Sequence, residues 1–408
     1  MAPELSKVSF VFPNDFHVTW SLMIVLYPYI TGLVAGAFIV SSLYHVFDRQ
    51  ELRPIGRLSL VASLAFLIAA PLPLLCHLGQ PLRGPYIMMT PNLRSAMAGF
   101  GFVYTTYFIL VALEIWLVFR RHIIEKARRS QGFKRAFYCA LALWVYDTSP
   151  DALRIDRQGV KLLAALGIPL ACLLHGYVGF IFGSVKANPW WSTPLMPIIF
   201  LFSACLSGIA MVIILYIMIT FFGGGKPLPQ TIQSLASWLW LFVIITVSLE
   251  LLEIGTLAYE RNEEWLVLWP LLTSKLAISF FGVQLVFGAM IPMLLLGIVV
   301  LLKPYLTDAL RNTLAFMSAC ILLVQVFAMR WNVVIGGQMF SKSLAGFRDP
   351  YVPELLGREG VLAALVIFAL PFIVMAVFHW LLPIEVPIGG DPVPRPDLPS
   401  EAQAEPAV

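Results

Sequence analysis

The residues with the most chemistry to offer begin at Cys76-His-Leu-Gly-Gln-Pro-Leu-Arg-Gly-Pro85 and continue to Arg94. A long apolar run ends there, and His77, Gly79, Pro81, Arg83 and Pro85 follow at once. Proline lacks a backbone donor and disfavours helix for the residue before it, so the chain must turn and leave polar backbone groups uncovered. Beside a bilayer such backbone is tolerated where protein buries it or where it lines a polar cavity, so this stretch reads as one wall of a site. Two other polar pieces reach the same depth. Asn14, Asp15 and His17 precede the first apolar run, and His175 and Tyr177 close the fourth, ahead of Lys186, Asn188, Pro189, Trp190 and Trp191. Taken singly, His17 reads as part of an interfacial cap beside Trp20, His175 as a satisfied interior histidine and Tyr177 as an interface tyrosine. Their convergence with His77 is what points to function.

Carboxylates inside apolar runs form a second set, because a charge in hydrocarbon is costly and is kept for a reason. Glu114 lies toward the end of the third run, where it can also extend toward the basic residues that follow. Glu250 and Glu253, three apart, share a face of the sixth run, and Gln284 and Gln325 extend a polar file. The two glutamates suit either a proton relay or a structural pairing with Arg330.

The elements that position these groups are membrane helices. Of the 408 residues 59% are hydrophobic and 12% charged, and the mean hydropathy is +0.85, which excludes an ordinary soluble domain. Nine runs are long enough to cross about 30 Å of hydrocarbon: 21–44, 58–76, 97–119, 162–185, 195–222, 235–258, 276–302, 313–329 and 361–382. A short tenth candidate lies around 136–146, among basic residues. The fold class is therefore all-α integral membrane. The N-terminus lacks a cleavable signal pattern, so the first run is expected to stay in place. Cys76, Cys139, Cys172, Cys205 and Cys320 are dispersed, with no paired spacing, which argues against an iron–sulfur cluster, structural zinc or attached haem in this chain.

Arg120, Arg121, Lys126, Arg128, Arg129, Lys134 and Arg135 crowd the loop after the third run. The positive-inside rule makes that loop cytoplasmic, which puts the N-terminus and the 76–94 stretch outside and the C-terminus inside. Gly223-Gly224-Gly225-Lys226-Pro227 is a joint near the midpoint. The small residues Gly32, Ala35 and Gly36 of the first run have a counterpart in Ser203 to Gly208 of the fifth, and His77-Leu-Gly79 in Glu253-Ile-Gly255. Two four-helix bundles plus a last helix follow. The divisions are an outward segment (1–20), a first bundle (21–190), a second bundle (191–338), an outer loop with the last helix (339–382), and a proline-rich, acidic, disordered tail (383–408).

The Thr-Gly-x-x-Ala-Gly-Ala first run, the Leu-Gly-Gln-Pro-Leu-Arg turn, Tyr177-Val-Gly-Phe-Ile-Phe-Gly183, Pro-Trp-Trp-x-Thr-Pro and Ser207-Gly208 resemble the NrfD family of polysulfide reductase membrane subunits. Arg330-Trp-Asn-Val-Val-Ile-Gly-Gly-Gln338 is similar to longer members of quinone-linked complexes. The resemblance implies a bacterial or archaeal cytoplasmic-membrane subunit of a respiratory complex that binds menaquinone or another quinone at its outer face. It also implies electron exchange with a docked ferredoxin-like iron–sulfur subunit, itself accompanied by a molybdopterin or multihaem cytochrome subunit. No haem or cluster is expected in this chain, and no nucleic acid. By position, His17 and Tyr177 would hydrogen-bond the quinone carbonyls, with Asn14, Leu78, Gly79 and Arg83 about the head group. His77 can exchange protons near neutral pH, and Glu114, Glu250 and Glu253, from their places in apolar runs, are the candidates for a proton relay. Many relatives carry an acid where this chain has His77. The chemistry agrees, since two-electron quinone reduction takes up two protons and needs hydrogen-bond donors at both carbonyls.

Three other readings compete. A proton-coupled transporter predicts a substrate site near the midplane. A b-type cytochrome would use His17, His77 and His175 as axial ligands. A structural membrane anchor would retain only a degenerate pocket.

Overall fold

The computed structural model describes residues 16–92, 94–344 and 346–384. Among them nine helices are long and apolar enough to cross a membrane. The first span is α1 (Leu22–His45). The second combines α2 (Arg53–Ala69) and α3 (Leu72–His77), and a four-residue α4 (Tyr86–Met89) follows it. Next come α5 (Ala96–Arg129), the short α6 (Gly132–Leu141), α7 (Pro150–Gly183), α8 (Met196–Phe222), α9 (Pro229–Glu260) and α10 (Glu263–Ser274). The seventh span begins with a π-helical stretch, Ile278–Met290, and ends as α11 (Ile291–Leu301). The eighth is α12 (Asp308–Trp331), widened into a π-helical turn at Asn332–Gly336, and the ninth is α13 (Val361–Leu381).

Polar caps begin several of these helices. Ser21, Ser149, Asn262 and Thr307 each accept a hydrogen bond from a first-turn amide of α1, α7, α10 and α12. Proline in the first turn opens α2, α7, α8 and α9, where its missing donor costs nothing. The candidate tenth run is α6, whose 10 residues reach only about 15 Å and cannot span the hydrocarbon. It lies against neighbouring spans instead: Trp116 Nε1 donates to the Leu141 carbonyl at 2.8 Å, and the Tyr138 hydroxyl to the Leu381 carbonyl at 3.1 Å.

α5 and α7 run to 34 residues each, well beyond their apolar cores. Backbone hydrogen bonding does not stop where hydrophobicity does. The polar ends are held together by Arg120 and Asp156, 2.6 Å apart.

The core is built on α1. Of its membrane-crossing stretch 94% is buried, against 22% for α13 at the rim. α1 packs on α2, α7, α8 and α12. Its closest approach is to α8, where Gly36 meets Ala204 and Gly208: a Cβ on Gly36 would strike the Ala204 carbonyl oxygen and lie 2.7 Å from Gly208 Cα. Without a hydrophobic drive between helices in lipid, such close contact is the main source of adhesion. Hydrogen bonds add to it, from Ser63 Oγ to the Val34 carbonyl and from Ser41 Oγ to the Gly56 carbonyl, both 3.0 Å.

Gly36→Leu should therefore destabilise the chain by about 1–3 kcal/mol or prevent assembly. Unfolding in detergent followed by circular dichroism checks this, and unchanged stability would mean that the α1–α8 contact is not tight.

Candidate functional site

The polar residues singled out above divide between two places, one at a membrane face and one inside the bundle. At the face that bears His17, the proximal face, α1 begins, α3 ends, α5 begins, α7 ends and α13 begins. His77 is the last residue of α3, and its Nδ1 lies 2.8 Å from Glu359 Oε2 and 3.3 Å from Ser21 Oγ. Partial burial pushes the Glu359 carboxyl up. Hydrogen bonds from Ser21 and His77, with the charges of His77 and Arg358, outweigh that and hold it below the ordinary carboxylate value.

Tyr177, half-buried on α7, donates its hydroxyl proton to the Ala96 carbonyl at 2.8 Å and packs on the rings of Phe100 and Phe180. The loop between α3 and α5 thus starts at His77 and ends where Tyr177 is bonded. Between these points Leu78, Gly79 and Arg83 are exposed. His17 is 84% exposed in its side chain and pairs with Asp349 at 3.7 Å. Asn14 lies outside the described residues. Among the described residues no hydrogen bond joins His17, His77 and Tyr177 directly; they share a face, each tied to a different segment.

Trp20 stacks on Trp191 with centroids 5.3 Å apart. Trp191 Nε1 donates to the Val333 carbonyl at 2.7 Å, and Asn188 Nδ2 to the Gly337 carbonyl at 2.8 Å. The Asn-Pro-Trp-Trp motif therefore docks the end of α7 onto the end of α12.

The interior set is organised by Arg330, which is fully buried. Its Nη2 lies 2.9 Å from His175 Nε2 and donates to Ser203 Oγ at 2.6 Å, and the guanidinium sits 3.7 Å over the Phe200 ring. The expected alternative, an ion pair of Arg330 with Glu250 or Glu253, is not formed within 4 Å among the described residues; Arg330 is turned toward α7 and α8 instead. Glu250 accepts from Gln284 Nε2 at 2.8 Å and from Gln325 Nε2 at 3.4 Å, and Gln284 Oε1 accepts from Asn332 at 2.7 Å. Gln284 and Asn332 come one from each π-helical stretch, a distortion that often marks function. Glu253 Oε1 is buried without a hydrogen-bond partner.

Glu114 does not reach the basic loop. It is 0% exposed, with neither carboxylate oxygen hydrogen-bonded. Of the three histidines, His175 is wholly buried beside Arg330, His77 is bonded to Glu359, and His17 is exposed at the surface beside Asp349.

A hollow of about 340 Å³ opens on the opposite face, lined by residues that include His122, Lys126, Arg129 and His379. It is remote from both sets.

Reading the sequence alone missed Glu359, Ser21 and Asp349. Glu359 stands in an ordinary polar loop next to Arg358 and Gly360, and only the return of the chain before α13 brings it to His77. The missed partners of Arg330 were each visible as residues, but nothing in their spacing joined them.

A buried carboxyl without hydrogen bonds costs stability. Glu114→Met should raise stability by about 1–3 kcal/mol, measured by unfolding in detergent. A loss of similar size would reveal that Glu114 is held by a partner.

Residues 13–342 match the family model described as polysulphide reductase, NrfD. A selenate reductase subunit of Mesobacillus selenatarsenatis is 32% identical over 270 residues, which cover 62% of this chain and 63% of that protein. A putative dimethyl sulfoxide reductase membrane subunit of Halobacterium salinarum is 30% identical over 230 residues, or 56% of this chain and 50% of its own length. The matched region thus spans between half and just under two thirds of these two relatives. The Hdr-like menaquinol oxidoreductase integral membrane subunit of Archaeoglobus fulgidus is 24% identical over 383 residues, covering 90% of this chain and 86% of that one. With the family pattern running from before α1 to beyond α12, this chain belongs to the NrfD polysulphide reductase family.

Proposed function

We propose that this chain is the quinone-interacting membrane subunit of a respiratory oxidoreductase, with its head-group site at the proximal face. The observation that carries the reading is the pair of half-buried groups at the two ends of the 78–95 loop, His77 and Tyr177. Tyr177 can donate to a quinone carbonyl oxygen and His77 can accept from a hydroquinone hydroxyl or, once protonated, donate to a carbonyl, and both stand where an isoprenoid tail remains in lipid. His17, Leu78, Gly79 and Arg83 border the same loop or face, and Asn14 is assigned to it by position only. For Tyr177 to donate to a quinone oxygen it must leave the Ala96 carbonyl. That exchanges one hydrogen bond of about 1 kcal/mol for another, so the cost is small.

The chain is read as two four-helix bundles with a ninth helix, in a bacterial or archaeal cytoplasmic membrane, with its proximal face outward by the charge of the α5–α6 region. A relative named menaquinol oxidoreductase supports menaquinone as the quinone. Relatives named as subunits of selenate and dimethyl sulfoxide reductases support a multi-subunit complex. An iron–sulfur subunit docked outside would carry the electrons, joined to a molybdopterin or multihaem subunit. Glu250, Gln284, Asn332 and Gln325 supply a hydrogen-bonded interior path, and Glu253, with an open oxygen, extends it toward the proximal face; Glu114 stands apart from this file. That path supports proton movement coupled to quinone chemistry.

A fluorescence-quenching titration of the purified chain with a quinol-analogue inhibitor tests the site. Saturable binding that weakens at least several-fold in Tyr177→Phe is expected. No saturable binding to stable wild-type protein would favour an anchor role. In liposomes containing the assembled complex, Glu253→Gln should lower proton translocation per electron. Unchanged translocation would remove Glu253 from the relay.

A further inference from the structure

The segment that returns from α12 to α13 lies almost wholly beyond the family match, which ends at 342, yet it is strapped to the site. The Asp349 amide donates to the Phe16 carbonyl at 2.8 Å, and the Leu22 amide to the Tyr351 hydroxyl at 3.1 Å. Near its end the Val361 amide donates to the Glu354 carbonyl at 2.8 Å, closing the loop before α13. This places Glu359 with its carboxylate against His77 Nδ1 at 2.8 Å. The two side chains are 24% and 33% exposed, sheltered from bulk water without being sealed from it.

We propose that Glu359 is a positioning residue for the quinone chemistry: it holds His77 with its proton on Nδ1, so that Nε2 is the nitrogen that exchanges a proton with the substrate. The proposal rests on the head-group site assigned above. An ionised carboxylate accepts and cannot donate, so the contact fixes the tautomer of His77. The same carboxylate stabilises the imidazolium once Nε2 has taken a proton, the role of the buried acid in a serine–histidine–aspartate triad. The charged and titratable groups about the pair are few. Arg358 Nη2 lies 3.9 Å from Glu359 Oε1, Glu354 and Tyr351 share its loop, and from α1 the facing group is the uncharged Ser21. Arg358 and Ser21 favour the ionised acid.

The exchange balances. As a hydroquinone gives two electrons, one after the other, to the iron–sulfur clusters of the docked subunit, one O–H bond breaks and its proton passes to His77 Nε2, then to water. The second hydroxyl gives its proton to water at the Tyr177 end. Quinone reduction runs the same steps backward.

Two measurements on wild type, Glu359→Gln and Glu359→Asp test this: quinol-analogue titration of the purified chain, and quinol turnover by the assembled complex. Glu359→Gln should keep analogue affinity within about threefold and lower turnover by at least about tenfold. Glu359→Asp should recover most of the rate. Unchanged turnover in Glu359→Gln would overturn the proposal. So would loss of analogue binding together with turnover, since Glu359 would then only brace the loop. Failure of the wild-type chain to bind the analogue would instead overturn the site assignment, and the proposal with it.

Discussion

Everything in this molecule depends on how closely α1 and α8 approach. In lipid, apolar side chains gain little by meeting one another, because hydrocarbon surrounds them either way. Adhesion has to come from close packing and from polar groups that find partners. Gly36 and Gly208 bring two backbones to a separation that no larger residue at Gly36 would allow. Because α1 also touches α2, α7 and α12, that crossing sets the position of the helices that carry His77, His175, Tyr177 and Arg330.

The interior polar groups are the second constraint. A buried guanidinium costs several kcal/mol unless its donors are used. Arg330 directs Nη2 to His175 and Ser203 and lays its guanidinium over the Phe200 ring, groups that lie on α7 and α8, while its Nε is buried without a hydrogen-bond partner. It thereby ties the end of α12 to both. Glu250 is satisfied separately, through side chains drawn in by the two π-helical distortions. The result is a polar interior held by hydrogen bonds rather than by paired charges, in which Glu253 Oε1 is left without a hydrogen-bond partner.

At the proximal face the controlling feature is the return of the chain before α13. The loop from Asp349 to Gly360 is bonded to the residues that open α1, and it brings an acid to the histidine that ends α3. The face is therefore assembled from segments hundreds of residues apart. It is hydrogen-bonded at the helix termini, at Ser21, His77 and Ala96, and exposed in the turn between them, at Leu78 to Arg83.

The sequence by itself determined the nine long apolar spans and their class, because membrane crossing is a matter of length and hydrophobicity along a contiguous run. It also marked the small-residue faces of α1 and α8, since small side chains at helical spacing have one main use in lipid. The 136–146 region was ambiguous on hydrophobicity, and helix length decided against a tenth span. Partner choice could not be read from spacing. Arg330 meeting His175 and Ser203 rather than Glu250 or Glu253, the burial of Glu114 away from the basic loop, and the pairing of His77 with Glu359 are all decided between elements distant in the chain. Which groups meet there depends on crossing positions and helix rotation, which arise only when the spans pack.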